Sequence, residues 1–191
     1  MLIANKLLCL TVWMLAGAQQ PTLEPFLKAI KAGDAKTVRA LLDRGANPNA
    51  REVEKTRTSL EDGPGGKTIS GDTALNLAID ADSLDIVKLL LARGADVNGK
   101  GVMGFTPLIS ASQRNLKIVD FLLSKGAKPN QQNDYGDTAI IFAANNGETE
   151  IVATLLKHGA QINGGTGWTP LMQAAYNGHV DTVKYILKHN S

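Results

Sequence analysis

Cysteine is almost absent from this chain: Cys9 is the only one among 191 residues. It lies in an N-terminal segment that we expect to be removed, so neither a disulfide nor a thiolate metal ligand remains. The three histidines are not spaced four residues apart, which excludes the usual helical pair of zinc ligands. We therefore expect packing alone to stabilise the fold, with no metal and no cofactor.

Excess charge is also lacking, since the formal net charge is only +2. A nearly neutral chain does not attract nucleic acid or an anionic membrane surface through a long-range field. The sequence has no Asn-x-Ser/Thr glycosylation site, which favours a bacterial envelope over a glycosylating pathway. We expect no nucleic acid among the partners.

The first residues, MLIANKLLCLTVWMLAGAQQ, have the pattern of a secretory signal peptide. Lys6 precedes an apolar stretch from Leu7 to Leu15, and Ala16 and Ala18 provide the small residues before a cleavage site. The stretch is too short to cross a bilayer as an anchor. We expect residues 1–18 to be cleaved, leaving residues 19–191 exported to the periplasm or secreted, without membrane insertion.

A helical segment recurs five times along the chain. The copies are VRALLDRGANPN, VKLLLARGADVN, VDFLLSKGAKPN, VATLLKHGAQIN and VKYILKHNS, beginning at Val38, Val87, Val119, Val152 and Val183. Apolar residues at i, i+3 and i+4 form one stripe on a helix, and the following Gly-Ala is a helix stop. Each copy therefore predicts an amphipathic helix with a defined end.

A second module precedes four of these helices: GDTALNLAI, GFTPLISAS, GDTAIIFAA and GWTPLMQAA. Threonine is a good helix cap, and proline at the first helical position costs no backbone hydrogen bond. Thr73, Thr106, Thr138 and Thr169 recur at intervals of 31 to 33 residues. Two short helices per repeat are thus predicted.

This pattern resembles the ankyrin repeat over essentially all of residues 19–191. The resemblance implies an all-α solenoid of about five helix-turn-helix repeats joined by hairpin fingers. The expected repeats span 22–49, 71–98, 104–130, 136–163 and 167–191, with a long insertion at about 50–70 in the first finger. Glu24 replaces the threonine of the first copy, which resembles a polar capping repeat, and Lys184 and Lys188 are expected to face solvent at the other end.

Two departures from the family pattern have structural consequences. The histidine usual after Thr-Pro-Leu is replaced by Asn76, Ile109, Ile141 and Met172, so its inter-repeat hydrogen bonds must be missing or supplied otherwise. The third repeat also lacks one residue in its inter-helix turn, within QRNLK.

The glycine-rich run EDGPGGKTIS, residues 61–70, raises the question of a phosphate-binding loop. Such a loop needs glycine six residues before the lysine, where this chain has Glu61, and a buried strand before it. The preceding KTRTSL is polar, so we interpret the run as part of an elongated finger. Its composition predicts a segment that is mobile when unbound.

No catalytic constellation is apparent. Asp80, Asp82 and Asp85 cluster at a turn, but a calcium loop needs six or more oxygen ligands, so solvated acids are the better interpretation. No Gly-x-Ser-x-Gly or similar nucleophile motif occurs. We expect no enzyme; a hydrolase or metal enzyme, or an envelope scaffold, are the alternative classes.

Ankyrin proteins bind partners through finger tips and the exposed side of the first helices, which together line a groove. The resemblance implies that these positions contact a partner here: Asp72, Met103, Phe105, Arg114, Tyr135, Asp137, Trp168, Tyr176 and Asn177. We call Met103, Phe105, Tyr135, Trp168 and Tyr176 the aromatic row. Exposed aromatic residues are typical interface anchors, although Phe105 and Trp168 could instead pack against a neighbouring finger.

The expected function is an exported protein-protein interaction module, a monomer that holds one folded protein partner in its groove. Two uses fit: an immunity protein that neutralises a delivered toxin, or an accessory factor of a periplasmic enzyme in oxidative-stress defence. Charge does not separate them, because the chain is nearly neutral.

Overall fold

The structure is a computed structural model that describes residues 23–53, 70–165 and 167–189. The predicted signal peptide lies outside the described residues. So do residues 54–69, which include most of the predicted insertion and of its glycine run.

The described residues form five successive helix pairs. The pairs are α1 (Leu23–Lys31) and α2 (Ala35–Asp43), α3 (Ala74–Asp80) and α4 (Leu84–Ala92), α5 (Pro107–Ala111) and α6 (Leu116–Ser124), α7 (Ala139–Asn145) and α8 (Thr149–Lys157), and α9 (Pro170–Tyr176) and α10 (Val180–His189). First helices pack on first helices, and second helices on second helices, from one pair to the next. The predicted all-α solenoid is confirmed.

The threonine caps explain where most first helices begin. The hydroxyls of Thr73, Thr106 and Thr169 each accept a hydrogen bond from the backbone N–H three residues later. Thr138 is the exception, because its buried Oγ1 has no hydrogen-bond partner. The Gly-Ala stops also behave as predicted: the glycine after each of the helices α2, α4, α6 and α8 has a φ of 87 to 90°.

The core is one continuous layer between the two rows of helices. The repeated valines Val38, Val87, Val119 and Val152 are fully buried, while Val183 at the end of the stack is only half-buried. Ala143 and Ala144 are also fully buried, which lets neighbouring first helices approach closely. Each repeat thus covers the apolar face of the one before it.

The predicted first finger, which joins the first and second repeats, begins as a short β-ribbon. Below, each finger carries the number of the repeat that follows it, so this ribbon is the base of the second finger. Strand β1 (Arg51–Val53) pairs antiparallel with β2 (Ser70–Thr73), with Arg51 opposite Thr73 and an irregularity in the register. Gly71 is required here, because a Cβ at this position would collide with the backbone of Glu52. Lys31 Nζ lies 2.6 Å from Glu52 Oε1 and ties the ribbon to the first helix pair.

The missing residue in the third repeat shortens the first helix and changes its turn. Helix α5 has five residues, against seven in α3, α7 and α9. The turns of the other four repeats contain a left-handed residue, Gly33, Asp82, Gly147 or Gly178. In the shortened turn Ser112 stays right-handed, and its hydroxyl donates to the Leu108 carbonyl at 2.6 Å.

Candidate functional site

The third finger holds Met103 in an exposed and unfavourable conformation. Residues Val102–Gly104 form a single 3₁₀ turn, in which Met103 has a φ of 54° and is 56% exposed. Left-handed backbone is uncommon outside glycine, aspartate and asparagine, and it often marks a functional position. An apolar side chain is thus kept in solvent at the tip.

The fourth finger is organised by the buried side chain of Asn133. Its Oδ1 accepts from the backbone N–H groups of Tyr135 and Asp137 at 3.0 and 2.8 Å. The backbone N–H of Asn133 donates to the Asp137 carbonyl at 2.9 Å. This arrangement closes the turn and leaves Tyr135 64% exposed. The Asp134 N–H donates to the Met103 carbonyl at 3.1 Å, so the third and fourth tips are fixed relative to one another.

The remaining members of the aromatic row pair with other rings. Phe105 is half-buried and packs edge-on against Phe142 of α7, with 5.1 Å between ring centroids. Trp168 is 47% exposed and packs edge-on against Tyr176, at 5.2 Å, while Tyr176 itself is 77% exposed. Phe105 is therefore largely a packing residue, whereas Trp168 and Tyr176 form an exposed pair at the last repeat.

Asp72 has a structural role between fingers. Its Oδ1 accepts a hydrogen bond from the Val102 N–H at 3.0 Å, so the base of the second finger supports the third. Asp72 is half-buried, as is Asp137 on the fourth finger. Both candidates lie at finger bases rather than at tips.

A chain of amide side chains crosses the groove floor of the last three repeats. Asn177 Nδ2 donates to Asn145 Oδ1 at 3.0 Å, Asn145 Nδ2 to Asn146 Oδ1 at 3.0 Å, and Asn146 Nδ2 to the Gln113 carbonyl at 2.9 Å. Asn177 is exposed although it takes part in this chain. The floor is thus polar and held in register beside the exposed aromatic residues.

The second repeat brings two carboxylates, Asp72 and Asp80, close enough to interact. Partial burial raises the pKa of Asp80 above its usual value, the negative charge of Asp72 raises it further, and Arg114 opposes both effects. Arg114 is exposed, and its positive charge acts on the Asp80 carboxyl. The second and third repeats therefore bring two carboxylates and a guanidinium together, whereas the last repeats bring amides and exposed aromatic rings together.

The structure places the predicted site residues in two groups. The exposed group offers contact surface: Met103, Arg114, Tyr135, Trp168, Tyr176 and Asn177. The half-buried group supports the fingers: Asp72, Phe105 and Asp137. Their role in partner binding stays a prediction.

Sequence reasoning missed the residues that join the repeats at the finger bases. Three asparagines bridge successive repeats in the same way: Asn49, Asn98 and Asn130. The Nδ2 of each donates to the carbonyl of the next helix-stop glycine, and its Oδ1 accepts from the backbone N–H two residues after that glycine, at 2.7 to 3.2 Å. The sequence pattern that could have predicted these bridges is an asparagine four residues after the glycine of each Gly-Ala stop. The replacement of the family histidine is also explained in the second repeat, because Asn76 Nδ2 donates to the Phe105 carbonyl at 3.0 Å.

Among the described residues no three His, Cys, Asp or Glu side chains are grouped so that they could hold a metal ion. In the same part of the chain, the helices are all too short or too polar to span a bilayer.

A sequence profile of the family described as "Ankyrin repeats (3 copies)" matches residues 3–101, 55–133 and 126–191. The chain belongs to the ankyrin-repeat family. Ankyrin repeats are protein-protein interaction modules, and proteins that contain them are mainly binding proteins.

Several curated proteins are similar to this ankyrin chain over about half its length. The 2-5A-dependent ribonuclease of Mus musculus is 35% identical over 99 residues, 50% of this chain and 11% of that protein. Ankyrin repeat domain-containing protein 17 of Homo sapiens is 35% identical over 44% of this chain and 3% of that protein. Ankyrin repeat and KH domain-containing protein mask of Drosophila melanogaster is 36% identical over 45% and 2%. The chain spans at most about a tenth of these relatives.

Proposed function

We propose that this chain is an exported, non-enzymatic binding module that holds one folded protein partner against its finger tips and groove. The observation that carries the proposal is the exposure of Met103, Tyr135, Trp168 and Tyr176 on three consecutive repeats. Large apolar side chains gain nothing from solvent, whereas aromatic residues and methionine are enriched at protein interfaces.

The rigidity of the fingers supports the same proposal. The Asp134–Met103 hydrogen bond joins two tips, and the Val102–Asp72 hydrogen bond holds one of them on the base of the preceding finger, so little conformational entropy would be lost when a partner binds. The polar floor around Asn177 and Arg114 would then provide hydrogen bonds and a charge at the rim of the contact.

Export to the periplasm is part of this proposal and rests on the signal-peptide pattern of residues 1–18. Within it, neutralisation of a delivered toxin and support of a periplasmic oxidative-stress enzyme remain the two uses to be distinguished. A toxin gene adjacent to the gene for this chain would favour the first use.

The test is an affinity capture from the envelope fraction of the producing cell, followed by binding measurements with the purified partner. Two variants divide the exposed residues: Met103→Ala with Tyr135→Ala, and Trp168→Ala with Tyr176→Ala. We expect each to weaken binding by at least about tenfold, since interface anchors cost roughly 1 to 2 kcal/mol or more when truncated.

The matched control is Lys36→Ala with Arg39→Ala, which removes two exposed side chains from the outer helix α2, away from the groove. Circular dichroism verifies that all variants fold. A partner that both double variants bind as tightly as the wild type does would contradict the proposed site, and so would a loss shared equally by the control.

A further inference from the structure

The second helices of the first two repeats, α2 and α4, enclose a cleft on the outer surface of the solenoid, with a volume of about 640 Å³. We call it the outer cleft. Ala35 of α2 and Leu89 of α4 are half-buried and form its floor. The exposed residues that line it are Lys36, Arg39, Asp85, Lys88 and Ala92.

The outer cleft is open because the first repeat has small side chains where later repeats have larger ones. Ala35 lies three residues before the repeated valine, a position held by Leu84, Leu116, Thr149 and Val180 in the later second helices. In the equivalent space between α4 and α6, Leu84 takes the place of Ala35, and Phe121 takes the place of Leu89. Larger side chains thus occupy the next space along the outer row, whereas the outer cleft is left accessible.

Two cations on α2 give the outer cleft its charge. Lys36 and Arg39 lie three residues apart on one helix face, and like charges at this spacing destabilise a helix. Lys36 is also in the first turn, where a cation opposes the helix dipole and where α4, α8 and α10 have Asp85, Glu150 and Asp181. In the described part of the chain, neither cation forms an ion pair. The isolated protein gains nothing from this pair of cations, whereas an acidic ligand would stabilise it.

The basic character is local to this cleft. At the equivalent positions of the next space, Lys117 and Asp120 balance one another, and Glu150 and Asp181 give the later spaces more carboxylates than cations. A long polyanion or an anionic membrane surface would contact several second helices and meet these carboxylates. The distribution of charge therefore favours a short acidic segment that covers the first two repeats alone.

The α4 wall of the outer cleft is less basic than the α2 wall. Lys88 Nζ lies 6.0 Å from the centroid of the Phe121 ring, so its ammonium is shared with the next repeat, and Asp85 adds a negative charge. The two walls are joined near their C-terminal ends, where Arg93 Nη2 lies 2.7 Å from Asp43 Oδ1. Acidic side chains of a ligand should therefore lie along the α2 wall.

We propose that the outer cleft binds an acidic amphipathic helix of a protein, with its apolar side chains on the floor and its carboxylates against Lys36 and Arg39. Each wall is a nine-residue helix, about 14 Å long, which matches roughly two to three turns of a docked helix. Amphipathic helices bind in this way by laying their apolar face into a groove. Small-molecule pockets bury most of their ligand, whereas the residues that line this cleft are mostly exposed.

The test uses a fluorescently labelled synthetic helix of about 18 residues, long enough to be partly helical alone. It is built from leucine, alanine and glutamate, with leucine at i, i+3, i+4 and i+7. Fluorescence anisotropy at low salt measures its binding to the full chain. We expect saturable binding with a Kd of about 10 to 100 µM, because exposed charge pairs are individually weak.

Two variants change the charge and the shape of the outer cleft separately. Lys36→Ala with Arg39→Ala should weaken binding by at least about fivefold, because it removes both cations. Ala35→Leu keeps the cations and places on the floor the residue that α4 and α6 already have, and it should weaken binding by at least about threefold. The matched control is Lys117→Ala with Lys125→Ala, which removes the same charge from the exposed surface of α6 and should leave binding unchanged. Thermal unfolding verifies that every variant is folded.

Several outcomes would overturn the proposal. They are an absence of saturable binding, unchanged binding by either cleft variant, and an equal loss in the α6 control. Equally tight binding of a peptide with the same composition in shuffled order would also overturn it, since any anion would then suffice. The finger-tip variant Met103→Ala with Tyr135→Ala should leave the peptide bound, so this proposal and the proposed function fail independently.

Discussion

The replacement of Asn76 by alanine is the sharpest test of how the second and third repeats are joined. Asn76 is 1% exposed, its Nδ2 donates to the Phe105 carbonyl at 3.0 Å, and its Oδ1 accepts from the Thr73 hydroxyl at 3.0 Å. The Phe105 carbonyl keeps a second donor, the Gly101 N–H at 2.7 Å, so it is not left unpaired.

The magnitude follows from these contacts. Each side-chain hydrogen bond contributes about 0.5 to 1.5 kcal/mol net, and the Thr73 hydroxyl loses a buried acceptor. We expect Asn76→Ala to lower the free energy of unfolding by about 2 kcal/mol. For a domain of this size the melting temperature should fall by about 4 to 8 °C.

The assay is urea unfolding followed by circular dichroism, with Asn146→Ala as the matched control. Asn146 also donates from Nδ2 to a backbone carbonyl of the neighbouring repeat, that of Gln113 at 2.9 Å, but it is exposed. Water replaces its lost hydrogen bond, so the control should cost less than about 1 kcal/mol. Equal losses for the two variants, or a loss below about 0.5 kcal/mol for Asn76→Ala, would refute the reasoning.

Two further predictions concern Asp80 and Met103. Partial burial and Asp72 raise the pKa of Asp80, so the folded state binds the proton of this carboxyl more tightly than the unfolded state does. The stability that this proton adds at low pH is lost as the pH rises through the folded pKa. Asp80→Asn should therefore be at least as stable as the wild type at neutral pH, and any gain should disappear once the pH falls below the ordinary pKa of an aspartate side chain. Denaturant titrations at both pH values measure this difference. A clear loss of stability at neutral pH would contradict the prediction. Met103→Gly should relieve the left-handed strain at φ 54° and leave stability unchanged or raised by up to about 1 kcal/mol, while weakening partner binding. A large fall in melting temperature would show that the Met103 side chain supports the fold instead.

Local rules predicted the helices because each repeat carries its own start and stop signals. The threonine caps and the Gly-Ala stops act on neighbouring backbone groups, so Thr106 or Gly94 needs no distant residue to perform its role. Thr138 shows the limit of that reasoning, since the same motif leaves its hydroxyl buried without a partner. Capping depends on the backbone at the cap: Thr138 has a φ of −111°, whereas the three threonines whose hydroxyls accept have values of −70 to −83°.

The exposure of the candidate site residues depended on contacts between repeats. Phe105 and Trp168 have equivalent positions in the sequence pattern, yet Phe105 packs on Phe142 of the next repeat, while Trp168 lies in the last described repeat and packs on Tyr176 of its own. The role of Asp72 beneath the third finger likewise requires that finger to be in place. Sequence spacing alone identifies the positions, and neighbours decide which are buried.

The sequence by itself determined the repeat, its helices and the order in which they stack, because period, caps and apolar stripes are properties of short segments. Only the tertiary structure decided which side chains bridge the repeats, as Asn76, Asn98 and Asn145 do, and which remain in solvent. Hydrogen bonds between residues about thirty positions apart, and the burial of one repeat by the next, exist only once the stack is assembled. Met172 is the clearest case, since it is 53% exposed whereas its counterparts Ile109 and Ile141 are buried.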